Sequence, residues 1–192
     1  MFPAQTASTL KALFTMHEPP LTGDSRYAIY FVPQTSSALW RFGSAWLGRD
    51  LISDEPVSRE CIRALDDDYL ARITREPRRY GIHATLKAPV RLAPGYEPRD
   101  VYLQAANLAA TLSPVTLTPF KLSVIDGFVA LTLAQDPVRN ASVAMIAGQC
   151  VTAFENLRAR AGSDEVARRQ AAGITPRQHA LLLQWGYPYV FR

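Results

Sequence analysis

At 192 residues, with 48% hydrophobic and 20% charged side chains, the chain is long enough to bury a substantial core and has a globular composition. Its 21 basic and 17 acidic residues leave a net charge of +4, and no basic block exceeds two residues, which argues against an extended nucleic-acid track. No apolar run approaches the roughly 20 residues of a membrane span, and the start of the chain lacks a signal-peptide pattern, so a cytoplasmic protein with no membrane partner is expected.

The first expected element is a short amphipathic helix over Thr6 to His17, carrying Leu10, Ala12, Leu13 and Met16 and stopped by Pro19-Pro20. His17 then places a positive charge at a negative helix end. Leu21 to Ser25 reads as a linker, so residues 1–25 are expected to form a peripheral extension to a domain over 26–192. Arg26 to Val32 is a strand ended by Pro33. Ser36 or Ser37 caps a helix that runs through Leu47 to Gly48. Trp40 and Trp46 on that helix are assigned to the core, and Arg41 and Arg49 to the surface or to ion pairs. Asp50 to Arg59 is a polar loop. Asp66 to Arg75 is a helix whose three leading aspartates suit its positive N-terminal end better than a magnesium site.

Pro77 breaks the chain before the stretch that carries the chemistry. Gly81 and Pro89 bracket Ile82-His83-Ala84-Thr85-Leu86-Lys87-Ala88, read as a strand from Gly81 to Val90. Alternation sends Ile82, Ala84, Leu86 and Ala88 to a core and lines up His83, Thr85 and Lys87 on the other face. An imidazole, a hydroxyl and an ammonium in a row suit an anionic phosphate ester: histidine moves protons near neutrality, threonine donates to oxygen, and lysine supplies charge.

A helix follows over Asp100 to Leu112, then strands at Val115–Val124 and Phe128–Leu133 joined by an Asp126-Gly127 hairpin turn. A long helix is expected from Val138 to about Arg160, with two further helical pieces at Asp164–Gln170 and Pro176–Trp185, divided by Gly173. His179 lies on the last of these, facing solvent. Helices and hairpins without βαβ alternation indicate an α+β fold, with the four strands lining one central cleft. Of the 21 basic residues 18 are arginine, a bias better explained by composition than by nucleic-acid binding. Cys61 and Cys150 lack metal or redox spacing and are expected to be free thiols, and the three scattered histidines make no zinc cluster.

Several segments together carry a family likeness. They are Arg26-Tyr27-Ala28-Ile29-Tyr30, Leu39-Trp40-Arg41-Phe42-Gly43 with Trp46-Leu47-Gly48-Arg49-Asp50, Arg79-Tyr80-Gly81 with His83 to Pro89, and Thr175-Pro176-Arg177-Gln178 with Trp185 to Val190. In this order the chain from Arg26 onward resembles the DUF1045 family, phosphonate-metabolism proteins of the 2H phosphoesterase superfamily. The resemblance implies a two-lobed α+β fold in which two His-x-Thr/Ser motifs face each other across a cleft. One histidine would serve as general base and the other as general acid, with no metal and no cofactor.

On this basis the expected function is a metal-independent phosphodiesterase acting on a small cyclic phosphate, with a ribose cyclic phosphate as the implied substrate. His83 and Thr85 would be catalytic, and Lys87, Tyr80 and Tyr30 would contact substrate. The alternatives are a catalytically impaired phosphate- or nucleotide-binding protein, and RNA-end processing or ligation. The second motif is expected on a strand soon after Tyr187-Pro188-Tyr189-Val190. Because the sequence stops at Arg192, the natural protein is expected to continue past it. His179 cannot replace the second histidine, since it precedes that segment and is followed by Ala180-Leu181.

Overall fold

A computed structural model describes residues 25–59, 65–117, 119–125, 128–134 and 137–189. The expected N-terminal helix with His17, Cys61, the Asp126-Gly127 turn and the final Val190 to Arg192 lie outside the described residues. Strands β1 (Tyr27–Phe31) and β2 (Ala84–Val90) pair with each other, and β3 (Phe120–Ile125) pairs with β4 (Phe128–Leu133). Six helices accompany them: α1 (Ala38–Leu47), α2 (Asp67–Ile73), α3 (Pro98–Thr111), α4 (Pro137–Ala153), α5 (Ser163–Ala171) and α6 (Pro176–Trp185). Small sheets among helices, without βαβ alternation, make this a mixed α+β chain. The four strands form two separate two-stranded sheets, not one continuous sheet. Alternation fixes which face of a strand is apolar but not which strand lies beside it.

The chain divides into two compact units, one of Met1–Ile29 with Leu86–Arg192 and one of Tyr30–Thr85, so the division falls inside both β1 and β2. In the Tyr30–Thr85 unit, helix starts and stops follow capping chemistry. Ser37 Oγ accepts from Trp40 N at 3.1 Å to open α1, and Gly48 closes it with φ 70°. Asp66 Oδ1 accepts from Tyr69 N at 3.0 Å to open α2, which puts Asp67 and Asp68 in the first turn, as the helix-start reading required. Trp40 is 3% exposed, and its indole N–H donates to Asp50 Oδ2 at 2.8 Å. Trp46 is only half-buried, with its ring 6.5 Å from that of exposed Phe42. Gly43 on α1 lies against Ile82: a Cβ there would sit 2.6 Å from the Ile82 side chain, so only glycine permits the approach.

In the other unit, Ala105 of α3 packs with Phe154 and Leu157, and Ile29, Leu92, Val101, Leu108 and Ala153 surround them. This core cuts α4 short of the expected Arg160. The helix ends at Ala153, and a 3-10 turn at Glu155–Leu157 follows. The chain then runs extended, with Ala93 N donating to Leu157 O and Ala159 N donating to Arg91 O, both at 2.8 Å. Burying Phe154 and Leu157 while pairing this backbone is incompatible with a continuous helix.

β3 begins five residues later than expected, at Phe120, because Pro119 has no N–H; its carbonyl instead accepts from Ala134 N at 2.8 Å. On one face of the hairpin Leu122 opposes Leu131 and Val124 opposes Val129. These four residues are 42–75% exposed. Among the described residues no helix is long and apolar enough to cross a membrane.

Candidate functional site

The approach to the histidine is built by glycine and arginine. Gly81 has φ +65°, and a Cβ there would come within 2.9 Å of the Leu51 side chain, so the position excludes other residues on both counts. Arg49 pairs with Asp54 at 2.5 Å and donates to the carbonyls of Arg78 and Arg79 at 3.2 and 3.4 Å. Those carbonyls lie on the 3-10 turn Pro77–Arg79, which leads directly into Tyr80. Arg49 is therefore an ion-paired scaffold residue, one of the two roles its sequence context allowed.

His83 precedes the first residue of β2 and is half-buried. Its Nδ1 lies 3.0 Å from Gly81 O. A carbonyl can only accept, so Nδ1 carries the hydrogen, and in the neutral ring Nε2 keeps the lone pair. The imidazole lies 4.2 Å from the Tyr30 ring at 36° and 6.1 Å from the Tyr80 ring at 49°, centroid to centroid. Tyr80 is half-exposed. The structure thus brings together three expected site residues, Tyr30, Tyr80 and His83, as an oriented imidazole flanked by two phenols. Thr85 is exposed on β2.

Lys87 does not belong to this group. It is 2% exposed, with Nζ donating to Val151 O at 3.0 Å and to Glu155 Oε2 at 2.9 Å. Glu155 is shared: its Oε1 also accepts from Arg158 Nε at 2.8 Å and pairs with Arg158 Nη2. Burial pushes the Lys87 ammonium below its ordinary value, partly offset by Glu155. Burial alone would raise the Glu155 carboxyl, but hydrogen bonds from Arg158 and Lys87, with their charges, leave it below its ordinary value. The expected role of Lys87 as a substrate contact is therefore corrected. Its ammonium serves the interior, bonding a carbonyl in the last turn of α4 that the helix leaves without a partner.

Burial along β2 does not alternate. Ala84 is exposed although it was assigned to the core, Ile82 and Leu86 are half-buried, and Lys87 and Ala88 are buried together. Nothing local announces Glu155, which lies 68 residues away in sequence. Nor does the sequence show the Gly81 carbonyl as the group that orients His83, beyond the presence of glycine itself.

A family profile described as a protein of unknown function, DUF1045, matches residues 85–192. A relative from Janthinobacterium sp. (strain Marseille), named ribose 1,5-bisphosphate phosphokinase PhnN, is 39% identical over 165 residues, which are 86% of this chain and 36% of the relative. A second protein of that name, from Laribacter hongkongensis (strain HLHK9), is 37% identical over 170 residues, 86% of this chain and 37% of its own. The chain thus spans just over a third of the length of these curated relatives. No solved structure matches it.

These names overturn the phosphodiesterase expectation, since relatives similar over most of the chain are named as kinases and not as hydrolases. The physical reason for the error is that a histidine and a hydroxyl beside a phosphate indicate an anion, not which of its bonds is broken. The order of the motifs and the matched profile agree on one assignment: the chain belongs to the DUF1045 family.

Proposed function

We propose that this chain recognises a phosphorylated ribose, the substrate class named for its relatives, at the Tyr30, Tyr80 and His83 group. The observation that supports this most is the fixed imidazole. Gly81 O holds Nδ1–H, so the neutral ring offers an acceptor at Nε2 and the protonated ring offers a charged donor to a phosphate oxygen. The flanking Tyr30 and Tyr80 rings supply an apolar wall for a sugar face, and half-exposed Tyr80 a hydroxyl for its oxygens. Thr85 adds a further hydroxyl two residues along.

In this reading the chain's share of the work is acceptor recognition. Its lysines are Lys11, Lys87 and Lys121, and none stands in the glycine-rich Gly-Lys-Ser/Thr context that cradles nucleotide phosphates. Residues 26–192 would act as the ligand-binding domain, with the two-lobed, 2H-like architecture that the family resemblance implies.

The test is calorimetric titration of ribose 5-phosphate and ribose 1,5-bisphosphate, without nucleotide, into the intact protein and into His83→Ala. Loss of a charged hydrogen bond predicts about 10- to 100-fold weaker binding in the variant. Equal affinity in both proteins, or no binding to either, would overturn the reading.

A further inference from the structure

Four arginines line one groove in the unit that contains Leu86–Arg192. Arg26 stands just before β1, Arg91 just after β2, and Arg158 and Arg160 on the extended stretch that leads into α5; Glu165 and Gly186 are also part of the lining. The convergence has a backbone cause. The Leu92–Arg158 bridge runs the segment after β2 antiparallel to the segment before α5, which brings Arg91 and Arg158 onto neighbouring strands.

The carboxylates nearby are already committed. Glu165 is shared between Arg91 and Arg169, each at 3.5 Å. Glu155 is shared between Lys87 and Arg158. Arg158 is held further by a bond from Nη2 to Gln184 O at 3.1 Å, and Gly186, with φ +76°, leaves room for it: a Cβ there would meet Arg158 Cδ at 2.8 Å. Arg26 and Arg160 are exposed, and among the described residues neither has a carboxylate partner.

An arginine-rich composition scatters guanidinium groups over a surface, but it does not explain their convergence. Glu165 and Glu155 offset the charges of Arg91 and Arg158, whereas exposed Arg26 and Arg160 add positive charge to the groove that an anion would offset. Guanidinium forks match the oxygens of a phosphate in pairs and are weakly hydrated, which suits them to that anion better than ammonium groups.

We propose that the groove lined by Arg26, Arg91, Arg158 and Arg160 is a second anion site, taking a small phosphate-bearing ligand. Arg26 and Arg160 make the direct contacts. Arg91 and Arg158, already tied to carboxylates, fix the walls and keep the local potential positive. The site is independent of the ligand reading at His83.

The experiment is a titration of inorganic phosphate into the full chain at low ionic strength, followed by calorimetry, with sulfate as competitor. Three variants separate the possibilities: the double change Arg26→Gln with Arg160→Gln, a charge-matched control in which exposed Arg99 and Arg177 become glutamine, and His83→Ala. The expected result is about tenfold weaker phosphate binding in the Arg26/Arg160 variant, with the charge-matched control within about twofold of the parent, while His83→Ala leaves the groove's component of phosphate binding in place. Equal losses in the groove variant and the control would show a non-specific charge effect and overturn the site. So would phosphate binding that responds to His83→Ala alone, or binding of single-stranded RNA by a protein indifferent to phosphate. Unchanged melting temperatures in all three variants are expected, because Arg26, Arg160, Arg99 and Arg177 are exposed and His83 is only half-buried.

Discussion

Replacing Lys87 with methionine keeps an unbranched side chain of similar length and removes only the ammonium. Two groups then lose a partner. The Val151 carbonyl, near the end of α4, loses its donor at 3.0 Å, and Glu155 loses the contact at 2.9 Å. Breaking one side of a buried ion pair costs about 3–5 kcal/mol when the remaining charge is stranded. Here Glu155 keeps Arg158, and its side chain is 27% exposed, so solvent and the guanidinium carry part of the load. The expected loss is therefore smaller, about 2–3 kcal/mol. For a chain of this size that corresponds to a fall in melting temperature of roughly 5–10 °C. Thermal and urea unfolding of Lys87→Met beside Thr85→Ala is the assay, since exposed Thr85 should shift stability by less than about 0.5 kcal/mol. A Lys87→Met protein that melts like the parent but fails to bind ribose phosphates would refute the assignment and return Lys87 to the ligand.

Acid should destabilise the protein through Glu155 and Asp50. Burial opposes ionisation of both carboxyls, yet hydrogen bonds to both, and the charges of Arg158 and Lys87 beside Glu155, hold them below their ordinary values, so their contribution is present above about pH 4.5 and is lost as pH falls through the folded-state values. Glu155→Gln should flatten the acid limb of a plot of stability against pH, and an unchanged limb would assign it to other groups. Asp50→Ala should cost about 1–3 kcal/mol in urea unfolding, because it strands the buried Trp40 indole N–H and two loop N–H groups, of Ile52 and Ser53. Gly186→Ala should cost about 1–2 kcal/mol, combining strain at φ +76° with displacement of Arg158; a neutral result in the same assay would show that the corner relaxes. Leu122→Lys should change stability by less than about 0.5 kcal/mol while raising solubility, since Leu122 is 75% exposed and a charge there meets no core; a large loss would mean that face is covered.

Local chemistry was readable from the sequence, and remote pairing was not. Caps at Ser37, Asp66 and Thr175, and stops at Gly48 and Gly186, follow from bonds made within a few residues, so the sequence carries their full specification. The sequence predicts too long an α4 because helical periodicity continues through Phe154 and Leu157, while the reason to stop lies in Ala105 and in the backbone of Arg91 to Ala93. Lys87 looks like a ligand contact in the sequence for the same reason. A polar residue at an alternating position looks like a site until a carboxylate from another part of the chain claims it. The imidazole group was partly legible: Gly81 and His83 stand two apart, and the two phenols sit in flanking motifs. The chemical outcome was not legible, since recognition of a phosphate is common to hydrolysis and to transfer.

The close approach of Gly43 to Ile82 gives the candidate site a hidden handle. Ile82 immediately precedes His83, and the space it occupies exists only because α1 presents a bare backbone there. A methyl group at residue 43 would have to displace Ile82, and the covalent link would pass that displacement to the imidazole and its bond to Gly81 O. Affinity could therefore drift through a helix position that no ligand reaches. A library that varied only residues around the imidazole would miss one of the strongest levers on it.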